Sequence, residues 1–267
     1  MKKIIVSFML SIMTMMLASC SEVAFTGRSQ LNFIPDSIIE PMAASQYDQF
    51  IKDNKLSTDK AKTAMVKRVG ADIAKAVEEY AAKNYIELKD YQWQFELIDD
   101  ETVNAFAMPG GKIVVYTGIL EYASDEDMVA AVIGHEIAHV LAKHGSERMT
   151  QQLLLQFGGL ALDQYFKEQP EKTRELLNTA YGATAQVGVA LPFSRKHENE
   201  ADHMGTIFMA MAGYNPEKAI ELWQTMAEKN KDAKTPPEFL STHPANQTRI
   251  DNLKELMPEA KSYAPVK

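Results

Sequence analysis

The sequence predicts an α+β fold, mostly helical, with a small antiparallel sheet beside one buried helix. Four observations carry this reading. Met65, Val69, Ile73, Val77 and Tyr80 recur at helical spacing, which gives a long amphipathic helix whose apolar stripe faces the core. Tyr91, Trp93, Phe95 and Leu97 alternate with Gln92, Gln94 and Glu96, the two-residue period of a half-buried strand. Strands at residues 103–107 and 112–117 follow, joined by a Pro109-Gly110-Gly111 turn. Finally, Met128, Val129, Val132, Ile133, Ile137, Val140 and Leu141 make a helix that is apolar nearly all round, and such a helix is buried.

Each remaining element has its own signal. Ser124 with Asp127 three residues on reads as the start of the buried helix, and Gly145 as its stop. Residues 153–190 are apolar but interrupted by Gly158-Gly159 and Gly182, which predicts helices and a flap near the site. After Pro192, Ser194 reads as the N-cap of a second helix running through Ile207, Phe208 and Met211 to Gly213. Asn215-Pro216 opens a helix to about Lys229, and Pro236-Pro237 leads into a loop holding His243. Residues 20–45 read as an extended leader broken at Pro35 and Pro41. There is no internal repeat and no appended peptide-binding module.

The chemistry lies in His135-Glu136-Ile137-Ala138-His139, an HExxH pattern on the buried helix. Residues four apart share a helix face, so both imidazoles can aim at one Zn²⁺. Glu136, about 100° further round, can reach a water polarised by that ion without being a ligand. Two histidines and a glutamate on a buried helix need partners, and a metal supplies them. The third ligand falls in the second helix. Glu198 and Asp202 share a face there, Glu200 competes with Glu198 on spacing alone, and His197 and His203 read as solvent-facing or supporting.

These residues carry a family resemblance. HExxH, then Ser194 through Asp202 as S-R-x-x-E-x-x-A-D, then Thr242-His243-Pro244 followed by Arg249-Ile250, resembles the zinc metallopeptidases that include HtpX, the CAAX prenyl proteases and the BepA-like proteases. Residues 103–111 resemble the family's N-A-x-A-x-P-G-G segment, and the likeness spans roughly residues 25–255. The resemblance implies a zincin-type metallopeptidase domain over 46–267. It implies one zinc held by His135, His139 and Glu198, with Glu136 as general base and Asp202 orienting a ligand. It also implies a place for His243 near the metal, either assisting the oxyanion or filling the open position. The alternative for His243 is local: Thr242-His243-Pro244 caps the last helix with Pro244 in its first turn. His144 is expected to meet the carbonyls ending the zinc helix. In peptidases of this type an extended substrate adds to a sheet edge, and Asn104, Ala105, Phe106 and Ala107 are the candidate edge.

The N-terminus suggests where this happens. Lys2 and Lys3 precede an apolar run from Ile4 to Ala18, too short for a transmembrane helix, which ends in Leu17-Ala18-Ser19-Cys20. This resembles a bacterial lipobox, implying a signal peptide at 1–19, a lipid on Cys20, a leader at 20–45 and a tether to a membrane face outside the cytoplasm. Cys20 is the only cysteine, so an intramolecular disulfide is excluded. Without residues 1–19 the 28 basic residues fall to 26 against 36 acids, and the formal charge moves from −8 to −10. With no polybasic patch, nucleic acid is not an expected partner. The expected substrates are unfolded or misfolded envelope polypeptides. The rival expectation is a chaperone-like assembly factor that binds unfolded chain with cleavage incidental or latched.

Overall fold

A computed structural model describes residues 20–89, 91–165, 191–231 and 235–265, together with positions 167, 171, 172 and 175. The expected signal peptide and most of the expected flap lie outside the described residues.

The segment read as an extended leader is folded. β1 (Cys20–Glu22) and β2 (Ser29–Leu31) form an antiparallel hairpin, closed by Gly27 at φ 65 and by the Val23 N–H donating to Arg28 O at 2.9 Å. α1 (Asp36–Asp53) follows and contains Pro41. Proline there forfeits one early backbone bond. Ile39, Ala43 and Tyr47, each four apart, bury the stripe that keeps the helix in place.

α2 (Lys60–Lys83) is the long amphipathic helix, burying Val66, Val69, Ile73, Val77 and Ala81. Asp59 caps it by accepting from the Ala61 and Lys62 amides. Three strands follow: β3 (Gln94–Ile98), β4 (Ala105–Met108) and β5 (Lys112–Tyr116). Their order is β3-β5-β4, so β4 is an edge of the described sheet. The sheet is mixed: β4 pairs antiparallel to β5, as expected, but β3 pairs parallel to it. The reason is the path. The chain passes beyond the place β5 will take, and a turn with Gly110 at φ 87 and Gly111 at φ 88 sends it back between the other two.

α3 (Glu126–Leu141) is the HExxH helix, and thirteen of its sixteen residues are buried. Its cap is Asp125, which accepts from the Met128 N–H at 2.9 Å, and not Ser124. Nor does Gly145 stop it. Ala142 ends the helix, Lys143 turns the chain at φ 54, and α4 (His144–Tyr165) begins at once.

α5 (Leu191–Met211) starts before Ser194, which lies inside it, and ends before Gly213 at φ 89. α6 (Glu217–Lys229), α7 (Glu238–Thr242) and α8 (Gln247–Ser262) complete the fold. No helix among the described residues is long and apolar enough to cross a membrane.

The packing of α3 on α5 positions everything else. A Cβ on Gly134 would lie 2.7 Å from Gly205 O, and one on Gly205 would lie 2.7 Å from Gly134 C and His135 N. Only glycines allow this backbone approach. It sets Glu198, two turns before Gly205, against the two histidines that follow Gly134.

Candidate metal centre

α3 turns His135 and His139 toward one point, and α5 brings Glu198 to the same point. His135 Nε2 lies 3.0 Å from His139 Nε2 and 3.3 Å from Glu198 Oε2, while His139 Nε2 lies 3.4 Å from Glu198 Oε1. His243, the residue after α7, adds its Nδ1 at 3.2 Å from His135 Nε2 and 2.8 Å from Glu198 Oε2. All four ligand atoms fall within 4.8 Å of one another, and the residues are largely buried.

This donor set fits zinc. A tetrahedral ion with bonds of roughly 2.0–2.1 Å spaces its ligands by about 3.3 Å, close to the separations observed. His135 Nε2 meets His139 Nε2, His243 Nδ1 and Glu198 Oε2 together, and one ring proton cannot serve all three, whereas the converging lone pairs suit a shared cation. The electrostatics agree. Burial opposes a charged His135, yet Asp202 and Glu198 outweigh it and raise its pKa to about 9. Burial pushes His139 well below its ordinary value. Glu198 would also be raised by burial, but His135, His139 and His243 hold it well below the usual carboxylate range. The pocket therefore favours one positive charge beside Glu198.

Glu136 stands next to this cluster without joining it. It is buried, and its Oε1 has no hydrogen-bond partner among the described residues. His243 Nε2 is 3.6 Å from that oxygen. Burial raises the Glu136 pKa, with His243 and His135 pulling the other way. A carboxylate so placed is a candidate proton acceptor.

Asp202 sits behind His135, its Oδ1 3.1 Å from His135 Nδ1 at an angle short of a well-formed hydrogen bond. Arg249 fixes it. Arg249 Nε and Nη2 each donate to Asp202 at 2.7 Å, and Nη1 donates to Pro244 O at 3.1 Å. The guanidinium is buried and lies 3.7 Å from the Trp223 ring centroid. In the sequence Arg249 stands only as half of an Arg249-Ile250 pair, with no local signal of this role. Pro244 precedes the Asn246 cap of α8, so the first-turn alternative for Thr242-His243-Pro244 does not hold.

A second cluster lies behind His139. His144 does not meet helix-end carbonyls: its Nδ1 is 2.9 Å from His139 Nδ1 and its Nε2 is 3.0 Å from Glu200 Oε2. Glu200, the spacing rival of Glu198, faces away from the metal point toward Thr26 and Arg28. Arg28 also forks onto Glu147, at 3.1 and 2.8 Å, and Glu147 meets His197 Nε2 at 2.9 Å. His197 is thus buried and not solvent-facing, whereas His203 is exposed beside Glu259. Burial pushes His144 down to about 4, partly offset by Glu200. Glu147 and Glu200 are resisted by burial but brought down to about 2, by His197 and Arg28 in one case and by His144, Thr26 and Arg28 in the other.

Asn104, Ala105, Phe106 and Ala107 line the same cavity as Glu136, His139, Glu198 and His243. The Asn104 carbonyl accepts from the Tyr116 N–H at 3.1 Å, toward β5. The far side of β4 has no strand paired to it among the described residues.

Comparison with known proteins agrees with this geometry. Residues 67–257 match the model of peptidase family M48. The chain is 36% identical over 177 residues to the mitochondrial metalloendopeptidase OMA1 of Schizosaccharomyces pombe, covering 65% of this chain and 49% of that protein. Against human OMA1 it is 29% identical over 242 residues, 88% of this chain and 45% of that one. It is 28% identical over 175 residues to the beta-barrel assembly-enhancing protease of Yersinia pestis, covering 64% and 36% respectively. The chain spans about half or less of the length of these relatives. With an HExxH helix, a glutamate from a crossing helix and a family match over most of its length, the chain belongs to peptidase family M48, whose members are zinc-dependent metallopeptidases.

Proposed function

We propose that this chain is a membrane-tethered zinc metalloendopeptidase that cleaves unfolded or misfolded polypeptides of the cell envelope. The observation that carries the reading is Glu136 Oε1, a buried oxygen with no hydrogen-bond partner among the described residues, beside a converged His135–His139–Glu198 set. Zinc, when bound by those three residues, supplies Lewis acidity and an acidified water. Glu136 takes the proton from the attacking water and delivers it to the leaving amine nitrogen. Asp202, clamped by Arg249, holds the His135 ring in place.

His243 reaches both the ligand set and Glu136, so it serves either as a stopper in a resting state or as a donor to the developing oxyanion. Substrate adds to β4 through backbone bonds along Asn104, Ala105, Phe106 and Ala107, which suits unfolded chain of varied sequence. The lipobox-like run ending at Cys20, together with the beta-barrel assembly-enhancing relatives, supports a lipid tether and an envelope location.

A second reading is favoured by His243 alone. If it keeps the cluster closed, the groove binds unfolded chain without cutting it, as an assembly factor would. The test compares zinc-loaded protein with its Glu136→Gln variant on unfolded casein, after confirming one zinc per chain in both. Cleavage by the first, with a loss of about 10²–10⁴-fold in the second, supports the peptidase. Cleavage by neither, with cleavage appearing in His243→Ala, supports the binding factor latched by His243.

A further inference from the structure

We infer that Glu200 is a positioning residue for the metal centre, acting through His144 on His139, and that the N-terminal hairpin is part of that centre because it holds Glu200. This rests on the zinc-site reading.

The argument concerns protons. To offer a lone pair at Nε2, neutral His139 must carry its proton on Nδ1. That N–H donates to His144 Nδ1, 2.9 Å away, which must then be an acceptor. Neutral His144 therefore carries its own proton on Nε2, where Glu200 Oε2 accepts it at 3.0 Å. Read outward from the metal, each tautomer forces the next, and a carboxylate terminates the chain. Read inward, Glu200 selects the His144 tautomer, and His144 selects the one in which His139 can ligate. If Glu200 were displaced, His144 could carry its proton on Nδ1 and donate to His139. That would place the His139 proton on Nε2 and close it to a metal.

Glu200 is fixed from the hairpin. Arg28 Nε donates to its Oε2 at 2.5 Å, and the Thr26 hydroxyl donates to Oε1. Arg28 is locked in turn by its fork onto Glu147. Residues 172 positions apart in sequence thus share one function, and residues 20–31 are a working piece of the enzyme. Glu198 ligates, and Glu200, two residues on and about 200° round the same helix, orients.

The test measures zinc affinity by chelator competition on the full chain, together with the ligand-field spectrum of the cobalt-substituted protein. His144→Leu should weaken zinc binding by about 10–100-fold and alter the cobalt spectrum. His144→Asn, whose side-chain oxygen can accept at the Nδ1 position, should restore most of the affinity. Arg28→Ala should fall between them. Unchanged affinity in His144→Leu, or an Asn variant as weak as the Leu variant, overturns the proposal. A histidine ¹H–¹⁵N spectrum of the zinc-loaded wild type requires no variant: a proton on His144 Nε2 supports the chain, and one on Nδ1 overturns it. Failure of the wild type to bind zinc would instead overturn the metallopeptidase reading.

Discussion

Two histidine–carboxylate clusters lie side by side in this protein, and they behave as opposites. The inner one, His135, His139, Glu198 and His243, directs nitrogen lone pairs and a carboxylate at one common point. The outer one, His144, His197, Glu147 and Glu200, meets the Arg28 guanidinium, and its carboxylates are matched to donors already in the chain. Residue types alone do not separate them. What does is the arrangement: Arg28 lies among the outer carboxylates and pairs with both, whereas in the inner cluster Arg249 Nη1 reaches Glu198 Oε2 at 3.2 Å and three ring nitrogens still converge with that carboxylate on one point. Burial beside like residues therefore marks a metal site where several lone pairs converge on one point.

The largest test of this contrast removes one carboxylate from each cluster. Glu198→Ala should abolish zinc binding and activity, while Glu147→Gln should keep one zinc per chain, as read by metal analysis of the purified proteins. Loss of zinc from both would erase the distinction. Next in size is the clamp behind His135. Arg249→Met leaves Asp202 buried without its cation, which costs about 3–5 kcal/mol, measurable by urea unfolding. A loss under 1 kcal/mol would mean that Asp202 is satisfied some other way.

Gly205→Ala probes how the inner cluster is assembled. A Cβ there meets Gly134 C and His135 N at 2.7 Å, so α3 and α5 must part, at about 1–3 kcal/mol and with weaker zinc binding. Zinc affinity equal to wild type would show that Glu198 does not depend on that crossing. The smallest effect concerns acid. Glu147 is pushed down to about 2 from its ordinary 4.5, so its native contacts stabilise the fold above pH 4.5 and are lost as pH falls toward 2. Glu147→Gln should accordingly flatten the pH dependence of melting temperature below 4.5; an unchanged acid limb would contradict the pairing.

Sequence legibility followed the range of the interaction. The HExxH spacing and the Glu198–Asp202 face are local periodicities that could be read, and the structure brings those side chains together. Of the Met65-to-Tyr80 stripe, Val69, Ile73 and Val77 are buried while Met65 and Tyr80 are only partly so. The choice of Glu198 over Glu200 needed family resemblance, because both lie on one helix and only the partner of each, His139 or Arg28, tells them apart. The hairpin at residues 20–31 was missed for the same reason: what folds it over the site is contact with α4 and α5, far along the chain. The parallel pairing of β3 was equally hidden, since strand alternation gives faces and not neighbours. Arg249 illustrates the hardest case. Nothing local distinguishes it from a surface arginine; Asp202, Pro244 and Trp223 converge on it only in the folded chain.

The most direct test of the central claim is zinc X-ray absorption on the zinc-loaded full chain. It should return about four nitrogen or oxygen neighbours at roughly 2.0–2.1 Å, with the outer-shell signature of at least two imidazoles and no sulfur. The imidazole signal should drop by one in His139→Ala. A sulfur neighbour near about 2.3 Å, or a spectrum without imidazole that His139→Ala leaves untouched, would place the metal elsewhere and contradict the account.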